Sequence, residues 1–325
     1  EGEIYRKMHD LLETNYDVVQ KARPQVSKNS AGYDLWDVWD RKTFDLVQLF
    51  VGSQGTLGMF TEAKVRLIRE KKYTVLITIF FDDWDALPEV INTLLPFQPE
   101  SLELFDIETL KLALRFMPEI AKKVGSSFIP FALQFLPEVW IGMKMLGLPK
   151  LILLCEVAED SERLAQEKAQ AIEKILRKFH LHMRTIYDEQ EMEKYWVMRR
   201  QSFALLREHV KDKKTAPFID DFGVLPQDVP RFLPRLLAIL KEHDIKVNIA
   251  GHAGNGNFHI IPLMDLRKQS EREKIPIVAD KVYKLIIEFG GTITAEHNDG
   301  LIRSPYLEDM YGKQVYALFE EVKHI

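Results

Sequence analysis

The feature that most constrains the fold is an alternation of apolar runs and long amphipathic stretches that begins at Tyr73. Strands are predicted for YTVLITIFF (73–81), SLELFD (101–106), PKLILLCEV (149–157) and IKVNIAG (245–251). Helices are predicted for 83–94, 159–178, 189–210 and about 228–242. Strands that alternate with helices in this way indicate an α+β unit, separate from the polar, loop-rich first 72 residues.

Two further strands are predicted in the first segment. One is FDLVQLFV (44–51), and the other is AKVRLI (63–68), where apolar and basic residues alternate with a period of two. The turn GSQGTLG (52–58) lies between them. Its glycines tolerate positive φ and lack a Cβ, which indicates backbone that approaches a ligand, with a plain tight turn as the alternative. The spacing is not GxGxxG and a strand follows, so a nicotinamide site is disfavoured.

Charge and cysteine content exclude several classes of protein. The net charge of −5 is mild and its signs are interspersed, so no nucleic-acid partner is expected and a small-molecule substrate is favoured. Cys155 is the only cysteine, which excludes disulfides within the chain and clusters held by several thiolates. The opening EGEIYRKMHDLLETNYD does not resemble a signal peptide, so a reducing, cytoplasmic setting is expected.

Residues 126–150 form the most apolar stretch of the chain. Pro130, Pro137, Glu138 and Lys144 interrupt it before it reaches the roughly 20 apolar residues that a membrane span requires. A broken helical hairpin is predicted instead. Its role is either core or lid packing, or peripheral contact with a membrane surface where electrons pass to a quinone.

GHAGNGNFH (251–259) carries a hairpin signal, because Asn255-Gly256 lies between two strand-like runs. If this pair is a two-residue turn, His252 lies opposite His259 on the same face, with Cβ atoms about 4.5–5.5 Å apart. Two imidazoles at that distance can share one metal ion. A chance meeting of two histidines on a polar hairpin is the alternative.

Glu296 and His297 are adjacent in GGTITAEHNDGLIRSPY (290–306). A carboxylate with two imidazoles is a common ligand set for zinc and related divalent ions. Neighbouring side chains in extended backbone point to different sides, so one of this pair can be a ligand and the other a base. Arg199 and Arg200 are likewise adjacent on a predicted helix, where one can reach a cavity while the other stays in solvent.

Taken together, KNSAGYDL (28–35), VGSQGTLGMFTEAKVRL (51–67), GHAGNGNFH and EHNDGLIRSPYL (296–307) resemble the FAD-linked oxidase family that includes D-lactate and D-2-hydroxyglutarate dehydrogenases. The resemblance implies an α+β fold of the vanillyl-alcohol-oxidase type. Residues 1–72 would be the second half of the FAD-binding domain, and 73–295 a substrate-capping domain with an antiparallel sheet and the metal site. Residues 296–325 would return toward the flavin.

The resemblance also implies roles for single residues. His252, His259 and Glu296 match metal ligands, with zinc, manganese or iron as the ion. His297 matches the catalytic histidine, and Arg199 an arginine that binds the substrate carboxylate. The residues expected near FAD are Asn29, Ser30, Gly32, Gly52, Gly55, Thr56 and Gly58.

The chain departs from the family pattern in four places. The family usually has GHxGDGNxH and EHGxG, whereas Asn255 and Asn298 occupy two of those positions here. Asn255 suits the inferred turn, while Asn298 adds a side chain beside the active site. The family's upstream glycine-rich loop and its NPGK-like ending are absent from the sequence, so the chain is expected to be an incomplete flavoprotein at both ends.

The function that this resemblance implies is oxidation of a D-lactate-like D-2-hydroxy acid to the 2-oxo acid, with a metal activating the hydroxyl and FAD accepting the hydride. A quinone, a cytochrome or another flavoprotein would then accept the electrons. Two alternatives stay open. One is a metal-free flavin enzyme that acts on another alcohol, and the other is a non-catalytic metal-binding subunit of a redox complex.

Overall fold

An antiparallel sheet forms the centre of the protein. The computed structural model describes residues 2–123, 127–209 and 214–325. Over those ranges the strands run in the order β4-β1-β3-β2-β7-β8-β5, with β6 also paired to β8. They are β1 (Tyr73–Phe81), β2 (Ser101–Asp106), β3 (Leu151–Glu159), β4 (His182–Ile186), β5 (Lys214–Thr215), β6 (Phe222–Gly223), β7 (Val247–His252) and β8 (Asn257–Met264).

Helices surround the sheet, and four of the described helices lie in the N-terminal segment. The described α-helices are α1 (Gly2–Thr14), α2 (Tyr16–Lys21), α3 (Leu35–Val38), α4 (Val47–Phe50), α5 (Leu87–Leu94), α6 (Ile107–Arg115), α7 (Met117–Lys123), α8 (Phe128–Leu133), α9 (Leu136–Lys144), α10 (Glu162–Leu176), α11 (Glu189–His209), α12 (Val229–Glu242), α13 (Gln269–Glu288), α14 (Gly300–Arg303) and α15 (Leu307–His324). Short 3₁₀ helices cover Leu95–Phe97, Arg177–Phe179, Pro226–Asp228, Ala253–Asn255 and Ser304–Tyr306.

Both faces of the sheet are buried, which explains why its central strands are almost wholly apolar. In β1, Ile77 and Ile79 point into the larger core, which is covered by α5, α10, α12 and α13. Their neighbours Leu76 and Phe80 point into a second core beneath α6 and α11. Successive side chains of a strand face opposite sides, so a strand covered on both sides needs apolar residues at nearly every position.

A third core joins the first 50 residues to the C-terminal helix. Val315 and Phe319 of α15 pack in one cluster with Met8, Leu12 and Trp36. Residues from the start of the chain therefore lie beside the segment that follows Glu296, and this packing bears directly on the site described below.

Most of the predicted elements after residue 72 are confirmed. The four predicted strands are present, and the predicted helices are present with ends moved by a few residues. The predicted break in the helical stretch 126–150 is confirmed, since two short helices, α8 and α9, occupy it. Residues 126 and 210 of the predicted segments lie outside the described residues. No helix in the described part of the chain is long and apolar enough to cross a membrane.

Both strands predicted before residue 72 are wrong. Residues 47–50 are helical because the Asp45 carboxylate accepts from the Val47 N–H at 3.0 Å, and Leu46 and Leu49 are buried with helical spacing. Residues 63–68 are exposed and form no regular element. A strand needs a neighbour to hydrogen-bond with, and this run finds none among the described residues.

Gly256 provides a test of the packing around the β7–β8 loop. Its φ is +63°, and an added Cβ would lie 1.9 Å from the carbonyl oxygen of Val224. Gly290 is a matched control, because its φ is +64° but nothing lies within 4 Å of the Cβ position. We expect Gly290→Ala to lower the free energy of unfolding by about 1–2 kcal/mol, the usual cost of a left-handed alanine. Gly256→Ala should cost more than about 3 kcal/mol, because backbone must also move.

Urea unfolding of the two variants beside the unaltered protein measures this difference. Equal losses in the two variants would show that the contact with Val224 does not constrain the loop.

Candidate active site and metal centre

The β7–β8 hairpin holds the two predicted metal-binding histidines. The predicted two-residue turn is wrong, because His252 pairs with Asn257 and the loop is Ala253–Gly256, a 3₁₀ turn closed by a left-handed glycine. His259 therefore lies opposite Ala250 and diagonal to His252. A shift of two residues keeps each side chain on its face of the sheet. The two rings remain adjacent, with centroids 5.2 Å apart.

A buried carboxylate, Asp221, fixes the chain around Glu296 and His297. Its Oδ2 accepts from the N–H groups of Ala295, Glu296 and His297 at 3.1, 2.9 and 2.6 Å. The same oxygen accepts from the hydroxyl of Thr294 at 2.8 Å, and Oδ1 accepts from the side-chain amide of Asn257 at 3.1 Å. Asp221 is close enough to the histidines to be a candidate ligand. Its oxygens already accept these hydrogen bonds, so it acts as an anchor of the backbone.

Two other carboxylates orient the histidine rings. Nδ1 of His252 lies 2.6 Å from Oε1 of Glu103, which stands opposite it on β2. Asp220 serves two rings, since its oxygens lie 3.4 Å from Nδ1 of His259 and 3.3 Å from Nδ1 of His297. A carboxylate at Nδ1 places the proton there and leaves Nε2 as the lone-pair donor, the usual arrangement behind metal-binding histidines.

The free Nε2 atoms converge on Glu296. Nε2 of His252 lies 3.4 Å from Oε1 of Glu296, and Nε2 of His259 lies 3.9 Å from Oε2. Ligands about 2.1 Å from a tetrahedral ion stand roughly 3.4 Å from one another. Among the described residues, His259, Glu296, His297 and Asp221 offer ligand atoms that all lie within 4.8 Å of one another, a set that can hold a divalent metal. His252 lies outside that set and approaches it through Glu296. The ammonium of Lys28 also contacts Oε1 of Glu296, so this carboxylate already has one cationic neighbour.

The charges of the site support this arrangement of protons. Burial alone would raise the pKa of Asp220, but the neighbouring rings of His259 and His297, at 3.4 and 3.3 Å, outweigh it and hold that pKa at about 2. The bond to Asp220 raises the pKa of His297, against the effect of burial. Burial likewise opposes ionisation of Glu296, while Lys28 and the two hairpin histidines lower its pKa. Asp220 is thus an anion that keeps Nδ1 of its histidines protonated.

The adjacent arginines of α11 differ as the sequence predicted. Arg199 has a side chain only 14% exposed, and its Nη2 lies 3.0 Å from Oε2 of Glu103. Glu103 therefore stands between Arg199 and His252. Arg200 is more than half exposed and pairs with Glu193 at 2.5 Å. Arg199 lies at the site, and Arg200 lies in solvent.

Part of the predicted FAD-binding set lies beside the segment after Glu296. Ser30 accepts from the N–H of Asn298 through Oγ at 3.1 Å, and the Gly32 N–H donates to Asp299 at 2.9 Å. The Asn298 amide donates to the carbonyls of Ser30 and Gly52 at 3.2 and 3.0 Å. The asparagine that departs from the family pattern therefore ties two loops together.

The other predicted FAD-binding residues lie further from that segment or serve structural contacts. The side chain of Asn29 accepts from the hydroxyl of Thr292 at 2.6 Å. Thr56 shares a 2.6 Å hydrogen bond with Tyr33. Gly55 and Gly58 are exposed. Between them and the site, Ser53 has a buried hydroxyl without a hydrogen-bond partner among the described residues, and the space around the Cβ position of Gly55 is open. This loop fits a polar group lying against its backbone.

Four residues of the site were not predicted from the sequence: Lys28, Glu103, Asp220 and Asp221. The pair in FIDDFGV carried a signal, because two adjacent acids inside an apolar strand-like run are costly to bury without partners. Nothing in the local sequence distinguishes Glu103 or Lys28, which reach the site only through the sheet register and the packing of the N-terminal segment.

Comparison with known proteins gives relatives of one kind. The chain is 26% identical over 333 residues to the D-2-hydroxyglutarate dehydrogenase of Pseudomonas putida, a match that covers 99% of this chain and 31% of the relative. It is 27% identical to glycolate oxidase subunit GlcD of Bacillus subtilis, over 92% of this chain and 56% of the relative. The chain thus spans 31% of the length of the first relative and 56% of the length of the second.

Solved structures support the fold. A 4-ethylphenol oxidase from Gulosibacter chungangensis aligns with a TM-score of 0.53 at 12% identity, over 79% of this chain and 52% of the other. p-Cresol methylhydroxylase aligns with a TM-score of 0.51 at 10% identity, over 78% of this chain and 50% of the other. The predicted α+β fold of a vanillyl-alcohol-oxidase-type flavoprotein, with an antiparallel sheet, is confirmed. The family described as FAD linked oxidases, C-terminal domain, matches residues 70–325, which is well over half of this chain. The chain therefore belongs to that family.

Proposed function

We propose that this chain takes part in the FAD-dependent oxidation of a D-2-hydroxy acid to the 2-oxo acid, with a divalent metal held by His252, His259 and Glu296. The observation that carries the metal site is the pairing of Nδ1 with Glu103 and Asp220, which leaves two Nε2 atoms facing Glu296 at 3.4 and 3.9 Å. The mixed nitrogen and oxygen ligands favour zinc, with manganese or iron as other candidates.

The substrate class is supported by the relatives. Their names give two different 2-hydroxy acids, 2-hydroxyglutarate and glycolate. The feature common to these acids is a hydroxyl beside a carboxylate, and the site has an imidazole, an ion position and a guanidinium that suit those groups. A quinone, a cytochrome or another flavoprotein would accept the electrons from the flavin.

FAD would lie against the loops that hold Asn29, Ser30, Gly32, Gly52, Gly55, Thr56 and Gly58, where the unpartnered Ser53 hydroxyl and the open space at Gly55 provide the fit. When bound, the metal supplies Lewis-acid polarisation of the substrate oxygens and FAD supplies the hydride acceptor.

Side chains of the protein itself accept the proton and orient the substrate. His297 takes the hydroxyl proton at Nε2, while its Nδ1–H faces Asp220 at 3.3 Å and the anion stabilises the resulting imidazolium. Arg199 holds the substrate carboxylate through its planar guanidinium. Glu103 fixes both Arg199 and His252, at 3.0 and 2.6 Å, so substrate binding and metal binding share one supporting carboxylate.

The contact between Lys28 and Glu296 favours one alternative, a metal-free flavin enzyme in which the ammonium balances the carboxylate. Turnover of D-lactate, D-2-hydroxyglutarate and glycolate with a dye acceptor, alongside elemental analysis of the purified protein, distinguishes the two. Activity with one of these acids and bound divalent metal supports the proposal. A metal-free protein that oxidises an alcohol without a carboxylate contradicts it.

Histidine variants separate ligands from base. We expect His252→Ala and His259→Ala to lose the metal and turnover, because the remaining ligands hold an ion poorly. His297→Gln should keep metal and FAD but lose kcat by about 10²–10⁴-fold, the usual contribution of a general base. His324→Ala, at an exposed position on α15, is the control and should keep both. Loss of metal from His297→Gln as complete as from His252→Ala would make His297 a ligand.

The two arginines of α11 provide a second matched pair. Arg199→Lys keeps the charge but loses the fork that binds a carboxylate through two parallel hydrogen bonds. We expect kcat/KM for the 2-hydroxy acid to fall roughly 10–100-fold, the range of a lost charge-assisted hydrogen bond. Arg200→Lys should leave kcat/KM unchanged, because its side chain lies in solvent. Steady-state kinetics of both variants decide, and equal effects would remove Arg199 from the substrate site.

A further inference from the structure

Helix α9 turns its apolar stripe toward solvent. Leu136, Val139, Trp140 and Met143 occupy positions i, i+3, i+4 and i+7 of the helix, and each side chain is between 56% and 63% exposed. A helix on the surface of a globular protein normally buries such a stripe against the core. In α9 the stripe is instead exposed to solvent.

The opposite side of α9 is held by charged groups. Glu138 has a side chain only 15% exposed, and it accepts from Arg184 at 2.7 Å, from Lys194 at 3.1 Å and from the Tyr195 hydroxyl. Lys194 is fully buried and also donates to the carbonyl of Gln134 at 2.6 Å. Charges buried at this depth are stable only when paired, as these are. The network therefore fixes the orientation of α9, and the helix cannot roll over to bury its stripe.

The exposed apolar surface extends on either side of the stripe. These neighbouring side chains come from α8 and from the chain after α9, and each is at least 47% exposed: Phe128, Ile129, Leu133, Leu146 and Leu148. We call the stripe and these five residues the apolar face. Single exposed apolar residues are ordinary, but a contiguous group of this kind marks an interaction surface.

Cations flank the apolar face, although the chain as a whole carries a charge of −5. Among the described side chains of residues 111–150, Glu119 is the only exposed acid, and Glu108, also exposed, pairs with Lys111 at 2.7 Å. Lys144 also lies over the Trp140 ring, at 5.5 Å from its centroid. Aromatic and long basic side chains at the edge of an apolar surface suit the boundary between lipid head groups and acyl chains. The other exposed cations of this range are Arg115, Lys122, Lys144 and Lys150.

A cavity of about 460 Å³ lies behind α9, and its lining includes four residues of the apolar face: Val139, Met143, Leu146 and Leu148. Its inner wall includes Phe80 and Ile152 of the sheet and Met198 of α11. The walls of this cavity are apolar and suit a lipid acyl chain. The region behind the apolar face is therefore compatible with contact with acyl chains as well as with head groups.

We propose that the apolar face docks on the surface of a lipid bilayer that contains anionic lipid. The apolar stripe enters the boundary between head groups and acyl chains, and the flanking lysines and arginine contact the anionic head groups. Charge complementarity favours this occupant, since a second copy of the same chain would bring the same cations against one another.

Vesicle co-sedimentation of the full chain tests the proposal, using phosphatidylcholine vesicles with and without phosphatidylserine. We expect sedimentation with the anionic vesicles, weakened by added salt. The double variant Trp140→Glu and Met143→Glu should lower the partition coefficient by about tenfold or more, because two large apolar side chains no longer enter the bilayer. The control is Leu164→Glu with Ile175→Glu, two exposed positions on α10 that are 43% and 39% exposed. It should sediment like the unaltered protein.

Further variants and outcomes separate the sources of binding. Lys144→Gln with Lys150→Gln should reduce binding to anionic vesicles and its salt dependence. Circular dichroism of every variant establishes that it is folded. Unaltered protein that stays in the supernatant with both kinds of vesicle overturns the proposal, as does an equal loss in the α10 control. Self-association without lipid, measured by analytical ultracentrifugation and abolished by Trp140→Glu with Met143→Glu, would assign the face to a second copy instead.

Discussion

The buried carboxylate of Asp221 is the interaction on which the site depends. It accepts from three successive backbone N–H groups, at Ala295, Glu296 and His297, and from the side chains of Thr294 and Asn257. A hydrogen bond to a charged group contributes roughly 1.5–3 kcal/mol, more than a neutral one. Because this carboxylate is fully buried, the donors it collects are also what makes its burial tolerable. The loop that contains Glu296 and the hairpin that contains His259 are thereby both hydrogen-bonded to the carboxylate of Asp221.

Asp220 and Asp221 are neighbours with different tasks. Asp221 holds backbone, whereas Asp220 faces the rings of His259 and His297 at 3.4 and 3.3 Å. The backbone turns at Asp221, where φ is +62°, and the two adjacent carboxylates reach different partners, so one short segment serves the structure of the loop and the charge of the site together. Glu103 has the same relation to His252 and Arg199 from the other side of the cluster. The groups that touch the substrate or a metal in our proposal are thus each held by a carboxylate from another strand or segment.

Local patterns in the sequence were sufficient for part of this site. His252, His259, Glu296, His297 and Arg199 were found because their neighbours in sequence carry a hairpin signal, an adjacent ligand pair or a family motif. The predicted hairpin register was wrong by two residues, since the loop forms a 3₁₀ turn with its glycine in the left-handed region. The face of the sheet predicted for each histidine was nevertheless right, because side chains of a strand alternate with a period of two. Glu103 was out of reach, because only the pairing of β2 with β7 brings it to His252, 149 residues away.

The fold shows the same division between local and distant information. Runs such as β1 are apolar at nearly every position because both faces of the sheet are covered, and this composition is visible in the sequence. Residues 44–51 have similar composition, and Leu46 and Leu49 are buried, but residues 47–50 are helical and no neighbouring strand is present among the described residues. An apolar run therefore predicts burial more firmly than it predicts a strand, since pairing depends on a partner elsewhere in the chain.

Helix α11 connects the site to the apolar face. Lys194 and Tyr195 bind Glu138 and hold α9, Met198 lines the cavity behind α9, and the next residue, Arg199, pairs with Glu103 at the site. These contacts lie within six successive residues, so they belong to fewer than two turns of one helix. A change in the position of α9 at a bilayer surface would act on a helix that also supports the proposed substrate-binding arginine. The charged network beneath α9 is therefore the physical link through which docking at the apolar face would bear on the geometry of Arg199.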